Sequence, residues 1–130
     1  MNPLLAIINY HKSQPAIRHI ENPLDNDYCY LSSEDVQKFA PAFKRHIEAL
    51  GLDKYQEDGN DCDDSAYECV SFFKRLHSRD SATTLICVAV GETHVVALVF
   101  HSATEWTHYN TQGGILAATQ IDDIYRLERV

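Results

Sequence analysis

The chain has 130 residues, of which 45% are hydrophobic, and its formal net charge is −8. This length fits one domain, over residues 1–130, that buries its own core. The charge argues against the basic footprint of a protein that binds nucleic acid or an anionic membrane, and no apolar run is long enough to span a bilayer. We therefore expect no nucleic-acid partner and no membrane association.

The N-terminal residues and the cysteines both predict a protein of a reducing compartment. Residues 1–8 are apolar but lack the basic region and the long apolar stretch of a secretory signal peptide, so a cytoplasmic protein is expected. Cys29, Cys62, Cys69 and Cys87 form no CxxC pair and no zinc-finger spacing. In a reducing compartment they should be free thiols, and Cys69 and Cys87 are expected to pack inside.

The first half of the chain predicts a short strand over Leu4–Tyr10. A short helix is expected over Gln14–Glu21, and a longer one begins after Ser32, which has an acid three residues later as in a capping box. Its apolar face repeats at helical spacing: Val36, Phe39, Phe43, Ile47 and Leu50. Pro41 predicts a kink or a restart within it, and Gly51 predicts its end.

A second long helix is predicted to begin near Cys62, after a polar loop over Asp53–Asn60. Its apolar stripe consists of Ala66, Val70, Phe73 and Leu76. Asp63 and Asp64 fall in the first turn, where the helix dipole favours negative charge. Stabilisation of the helix start therefore accounts for at least part of these acidic residues, without a catalytic or metal-binding role.

The rest of the chain predicts a sheet. The β-rich runs Thr84–Val90 and His94–His101 are separated by the turn signal Gly91-Glu92, which predicts an antiparallel hairpin. Trp106–Asn110 is a third predicted strand, and Ile121–Val130 is a further strand or a short helix. Helices followed by strands predict an α+β fold, with N-terminal helices packed on a C-terminal antiparallel sheet.

Cys62 and His94 are the predicted nucleophile and general base. A helix N-terminus stabilises a thiolate, and a nearby imidazole accepts the thiol proton. Asp63 and Asp64 oppose that ionisation and would have to point away or be neutralised. The alternatives are that Cys62 only packs in the interior and that His94 is a strand-edge histidine without a role.

Two further residues would complete a catalytic site. Asn110, on the next predicted strand, is placed to accept a hydrogen bond from the imidazole and to orient it, with Glu105 and Asp123 as less favoured substitutes. The backbone N–H of Cys62 and the side chain of Gln56 are candidate oxyanion donors. The alternative for Asn110 is a turn-forming residue.

The order Cys62, His94, Asn110 resembles that of the papain-like and transglutaminase-like cysteine peptidase superfamily. The stretch Asn60–Ala66 is similar to the Asp-Cys-Asp-Asp-Phe-Ala motif of small members such as the lectin-associated cysteine proteases. His94-Val95-Val96 matches the histidine strand of that superfamily. The resemblance implies a cysteine that opens a helix packed on an antiparallel sheet, with the other two residues on adjacent strands.

The resemblance spans Tyr55–Gly114 and includes two departures. Tyr109–Gln112 falls where the lectin-associated proteases have Glu-Pro-Gln, so Asn110 replaces an acid. Ser65 replaces the usual aromatic after the acidic pair. Gln56 stands at the distance from the cysteine that the papain-type oxyanion glutamine does.

These residues predict a cysteine-dependent hydrolase or acyltransferase that acts on amide bonds, with a protein or peptide substrate. The alternative is a catalytically silent protease-like fold that binds or inhibits a basic partner surface. No cofactor is expected, although the resemblance to lectin-associated members makes calcium a candidate for the oxygen-rich stretch Asp58–Asp64. That stretch is not an EF-hand, and a solvated acidic loop is the favoured interpretation. A zinc site on His94, His101 and His108 is a further, less favoured alternative.

Overall fold

A computed structural model of the chain describes residues 3–14, 17, 19–20, 28–52, 62–77 and 83–128. The helices are α1 (Pro3–Ser13), α2 (Ser33–Ala49) and α3 (Cys62–His77), together with a 3-10 turn at Gln112–Gly114. The strands are β1 (His19–Ile20), β2 (Tyr28–Cys29), β3 (Thr83–Thr84), β4 (Ile86–Gly91), β5 (Val95–Phe100), β6 (Trp106–Asn110), β7 (Ala117–Thr119) and β8 (Ile124–Glu128).

One sheet organises the described residues, with the strand order β1-β8-β4-β5-β6-β7. Its strands from β8 to β7 pair antiparallel, and β1 adds a two-residue parallel pairing to β8. β2 and β3 form a separate parallel pair. The predicted α+β class, with helices on an antiparallel sheet, is therefore confirmed.

Both faces of the sheet are covered, because β4 and β5 are buried along nearly their whole length. One face packs on α2 and α3; its strand residues include Val88, Val90, Ala97, Val99 and Tyr109. The other face packs on α1; its strand residues include Cys87, Ala89, Val96, Leu98 and Phe100. Successive strand residues thus alternate between the α3 face and the α1 face. The predicted burial of Cys69 and Cys87 is confirmed.

The long helix α2 follows its sequence signals at both ends. Ser32 is the N-cap, and its hydroxyl accepts a hydrogen bond from the backbone N–H of Asp35 over 3.1 Å. Gly51 adopts φ +72 directly after the helix, the left-handed conformation that favours glycine. Of the two alternatives at Pro41, the restart is wrong, since α2 is one helix across it, and the kink stays a prediction. Pro41 lies on the exposed side, and the buried residues on either side hold the helix together.

Tertiary contacts override the predictions for the N-terminal segment. The strand predicted over Leu4–Tyr10 is wrong: these residues belong to α1, which buries Ala6 and Tyr10, one helical turn apart, against the sheet. The helix predicted over Gln14–Glu21 is also wrong at His19–Ile20, which pairs with β8 as a strand. A short apolar segment carries too little periodicity to distinguish the two structures.

The strand predictions for the C-terminal half hold with adjusted ends. The β4–β5 hairpin forms as predicted, and the backbone N–H of Gly91 donates to the carbonyl of His94 over 2.8 Å. Trp106–Asn110 is β6, as predicted. Of the two alternatives for the last segment, a strand or a short helix, the strand is confirmed as β8. Leu76 departs from the predicted stripe of α3, being 44% exposed. No helix within the described residues is long and apolar enough to cross a bilayer.

Candidate functional site

Cys62 is the first residue of α3, so the predicted nucleophile stands at a helix N-terminus. Buried Ala66, Val70 and Phe73 face the sheet from the same helix and pack it over β4 and β5. The apolar stripe of α3 therefore places the helix start at one end of the sheet. Gln56, the predicted oxyanion donor, lies outside the described residues, as does the whole polar loop before Cys62.

A buried hydrogen bond joins the first turn of α3 to the end of β6. Thr111 Oγ1 donates to Ser65 Oγ over 2.9 Å, and both side chains are fully buried. Ser65 comes three residues after Cys62, and Thr111 comes directly after Asn110. The fold therefore brings the segment that contains the predicted nucleophile next to the segment that contains Asn110.

Asn110 is the last residue of β6 and is exposed to solvent. Its Oδ1 accepts a hydrogen bond from the backbone N–H of Gln112 over 3.1 Å, a local turn contact. Among the described residues, no hydrogen bond joins Asn110 to His94. The orienting role of Asn110 stays a prediction.

His94 lies in the tight turn before β5, exposed to solvent, rather than within the strand. The first residue of the strand, Val95, packs on the α3 face. His94 as the general base also stays a prediction.

Sequence reasoning missed three residues at this end of the sheet. Ser65 and Thr111 form the buried hydroxyl pair, and Gln112 has both polar side-chain atoms buried with no hydrogen-bond partner among the described residues. A buried amide without a partner costs about 1–3 kcal/mol, so such a group calls for an explanation. The available signal was the departure at Ser65 from the motif that this stretch resembles, together with the polar stretch that contains Thr111 and Gln112.

Two of the three histidines considered for zinc have other partners. The ring nitrogens of His101 are 2.7 Å from the carbonyl of Leu31 and 2.8 Å from the Thr107 hydroxyl. His108 Nε2 lies 2.9 Å from the hydroxyl of Tyr10. Burial lowers the pKa of His108 and raises the pKa of Tyr10, which keeps this pair neutral at pH 7. Both histidines are therefore engaged by other groups of the described chain, His101 by Leu31 and Thr107 and His108 by Tyr10.

No protein-family model and no curated protein matches the chain. Solved structures do match, among them a PSL1a-E64 complex with a TM-score of 0.70 and 16% sequence identity. The alignment covers 98% of this chain and 50% of that chain, so this chain spans about half the length of that structure. At this identity the match establishes a shared fold.

Proposed function

We propose that this chain is a cysteine-dependent hydrolase or acyltransferase that acts on amide bonds. The observation that carries the proposal is the buried contact between Ser65 and Thr111, which brings the helix that begins at Cys62 against the strand that ends at Asn110. A thiol at a helix N-terminus beside a sheet end suits nucleophilic catalysis. The fold match to a structure bound to E64, a cysteine protease inhibitor, supports the same class.

The proposed reaction has two steps. His94 accepts the proton of the Cys62 thiol, and the thiolate sulfur forms a bond to the amide carbonyl carbon. As the tetrahedral intermediate collapses, the C–N bond breaks and the imidazolium gives its proton to the leaving amine, which leaves a thioester. Water then releases a carboxylic acid, or an acceptor amine takes the acyl group, and the thiol is regenerated.

Charge on the tetrahedral oxygen requires hydrogen-bond donors. The backbone N–H of Cys62 and the side chain of Gln56 remain the proposed donors. The buried amide of Gln112, which has no partner among the described residues, follows Thr111 at the end of the sheet where these donors are proposed to act. In this proposal Asn110 exchanges its local bond to the Gln112 backbone for one to the imidazole.

A specific observation favours a second candidate, a catalytically silent protein that binds or inhibits a basic partner surface. The Asn110 carboxamide is engaged with its own turn, and Asn110 falls by alternation with Tyr109 on the face opposite α3. A formal net charge of −8 suits docking on a basic surface. The two candidates differ in whether Cys62 is activated.

Thiol reactivity separates them. In an active enzyme, E64 or iodoacetamide should modify Cys62 much faster than the half-buried Cys29, and His94→Ala should slow that reaction. Mass spectrometry of the modified chain locates the label, and Cys62→Ala is the control for specificity. Modification of Cys62 at the rate of Cys29, with no effect of His94→Ala, would favour the silent binding protein.

A further inference from the structure

A groove of about 520 Å³ lies between α2 and the segment that follows β6. Its apolar walls include Ala40 and Pro41 from α2, and Ile115 and Leu116 from the opposite side. Ile115 is 58% exposed, although it is a large apolar residue. The volume falls in the range of small-ligand pockets, about 300–1,000 Å³.

The groove is built on a fixed segment of backbone. Gly114, at its base, has φ +78, and a Cβ added there would lie 3.1 Å from both Ile47 Cβ and Lys44 Cα. The backbone of the 3-10 turn therefore packs directly against α2, with no room for a side chain at Gly114. Since the N–H of Gly114 donates to the carbonyl of Thr111 over 3.0 Å, the same turn is tied to the first turn of α3 through Ser65. The groove therefore adjoins the proposed catalytic end of the sheet.

The charge of the groove differs from that of the whole chain. Lys44 is the single charged side chain among the described residues that line it, and it forms no ion pair with another described residue. The chain as a whole has 19 acidic residues and 11 lysines and arginines. A locally cationic, apolar groove favours an apolar ligand with a neighbouring carboxylate. The net charge of −8 makes two copies of the chain repel each other, which disfavours a second copy as the occupant.

We propose that this groove is a substrate subsite that binds a large apolar side chain of a peptide whose adjacent residue is acidic. The proposal rests on the proposed hydrolase or acyltransferase function and names its substrate class. The apolar side chain packs between Pro41 and Ile115, and the adjacent carboxylate lies beside Lys44. The scissile amide then lies toward the 3-10 turn and the start of α3.

Binding to the full chain with Cys62→Ala tests this without any chemistry. The probes are fluorescein-labelled peptides Gly-Leu-Glu-Gly, Gly-Ser-Glu-Gly and Gly-Leu-Lys-Gly, and the readout is fluorescence anisotropy. We expect the leucine–glutamate peptide to bind at least tenfold more tightly than the other two. Added in the same background, Lys44→Glu should reverse the preference between glutamate and lysine, and Ile115→Ser should remove the preference for leucine.

Lys12→Glu is the matched control, because Lys12 is an exposed lysine of α1, the helix on the other face of the sheet. Equal binding of the three peptides, or equal effects of Lys44→Glu and Lys12→Glu, would overturn the subsite. A dimer that Ile115→Ser converts to a monomer, without peptide binding, would overturn it in favour of a second copy. Selective binding together with an unreactive Cys62 in the unmodified chain would instead refute the proposed enzyme and leave the peptide subsite standing.

Discussion

Thr111 Oγ1 donates a hydrogen bond to Ser65 Oγ over 2.9 Å at a position where neither side chain reaches solvent. Ser65 replaces the aromatic residue of the motif that this stretch resembles. The bond joins the first turn of α3 to the residue that follows β6, and it satisfies a buried hydroxyl on each side.

We expect Thr111→Val and Ser65→Ala each to lower the free energy of unfolding by about 1–3 kcal/mol, because each leaves a buried hydroxyl without this partner. The double substitution should cost less than the sum of the two, since both break the same bond. Urea denaturation of the four proteins measures this coupling. Strictly additive effects would show that the contact contributes nothing of its own.

Asn110→Ala tests the orienting role in the proposed triad. If Asn110 holds the His94 imidazole, modification of Cys62 by E64 should slow at least tenfold, whereas Asn110→Asp should retain most of the rate because a carboxylate also accepts the ring N–H. The matched control is Asn9→Ala, which removes a side-chain amide of α1 that donates to the Ala103 carbonyl. An unchanged rate in Asn110→Ala would limit Asn110 to its turn contact with Gln112.

The buried imidazole of His108 should make the folded chain less stable in mild acid. Burial lowers the pKa of His108 in the folded chain, partly opposed by Asp122, so the unfolded chain binds the proton more readily below about pH 6.5. The free energy of unfolding should therefore fall as the pH drops through that value and level off below the folded pKa. Urea denaturation from pH 8 to pH 5 measures the slope.

Substitution of the buried histidine should flatten that slope. His108→Gln retains hydrogen-bonding capacity toward Tyr10 but removes the titration, and the exposed His94→Gln is its control. His11, whose pKa burial also lowers, contributes a residual slope in both variants. An identical pH dependence in the His108→Gln and His94→Gln proteins would contradict this assignment.

Alanine substitutions at Gly114 and Gly51 distinguish the cost of backbone strain from the cost of steric crowding. Both adopt positive φ, +78 and +72, but a Cβ at Gly51 meets nothing within 4 Å, whereas one at Gly114 lies 3.1 Å from α2. We expect Gly51→Ala to cost about 1 kcal/mol, and Gly114→Ala about 1–3 kcal/mol more, by thermal or urea unfolding. Equal losses would mean that the 3-10 turn moves freely away from α2.

Local chemistry made several elements predictable. A serine cap and an acid three residues later begin α2, and a glycine at positive φ follows its end. The apolar runs of β4 and β5 and the turn between them predict the hairpin, because such runs bury best as paired strands. By contrast, α1 is a helix because Ala6 and Tyr10 pack on the sheet. That contact could not be predicted from a short apolar segment, whose pattern fits a strand as well as a helix.

The sequence by itself determined the α+β class, the position of Cys62 at a helix start and the order of the three candidate residues. Only the tertiary structure decided which face of the sheet each strand residue occupies. β4 and β5 are apolar on both faces, so their alternation does not indicate where α3 packs. The packing of α3 places Val95 and Thr111 against the helix and forms the Ser65–Thr111 contact between residues that are 46 positions apart. The two hydroxyls pair because a buried polar group needs a hydrogen-bond partner, and nothing in the local sequence relates them.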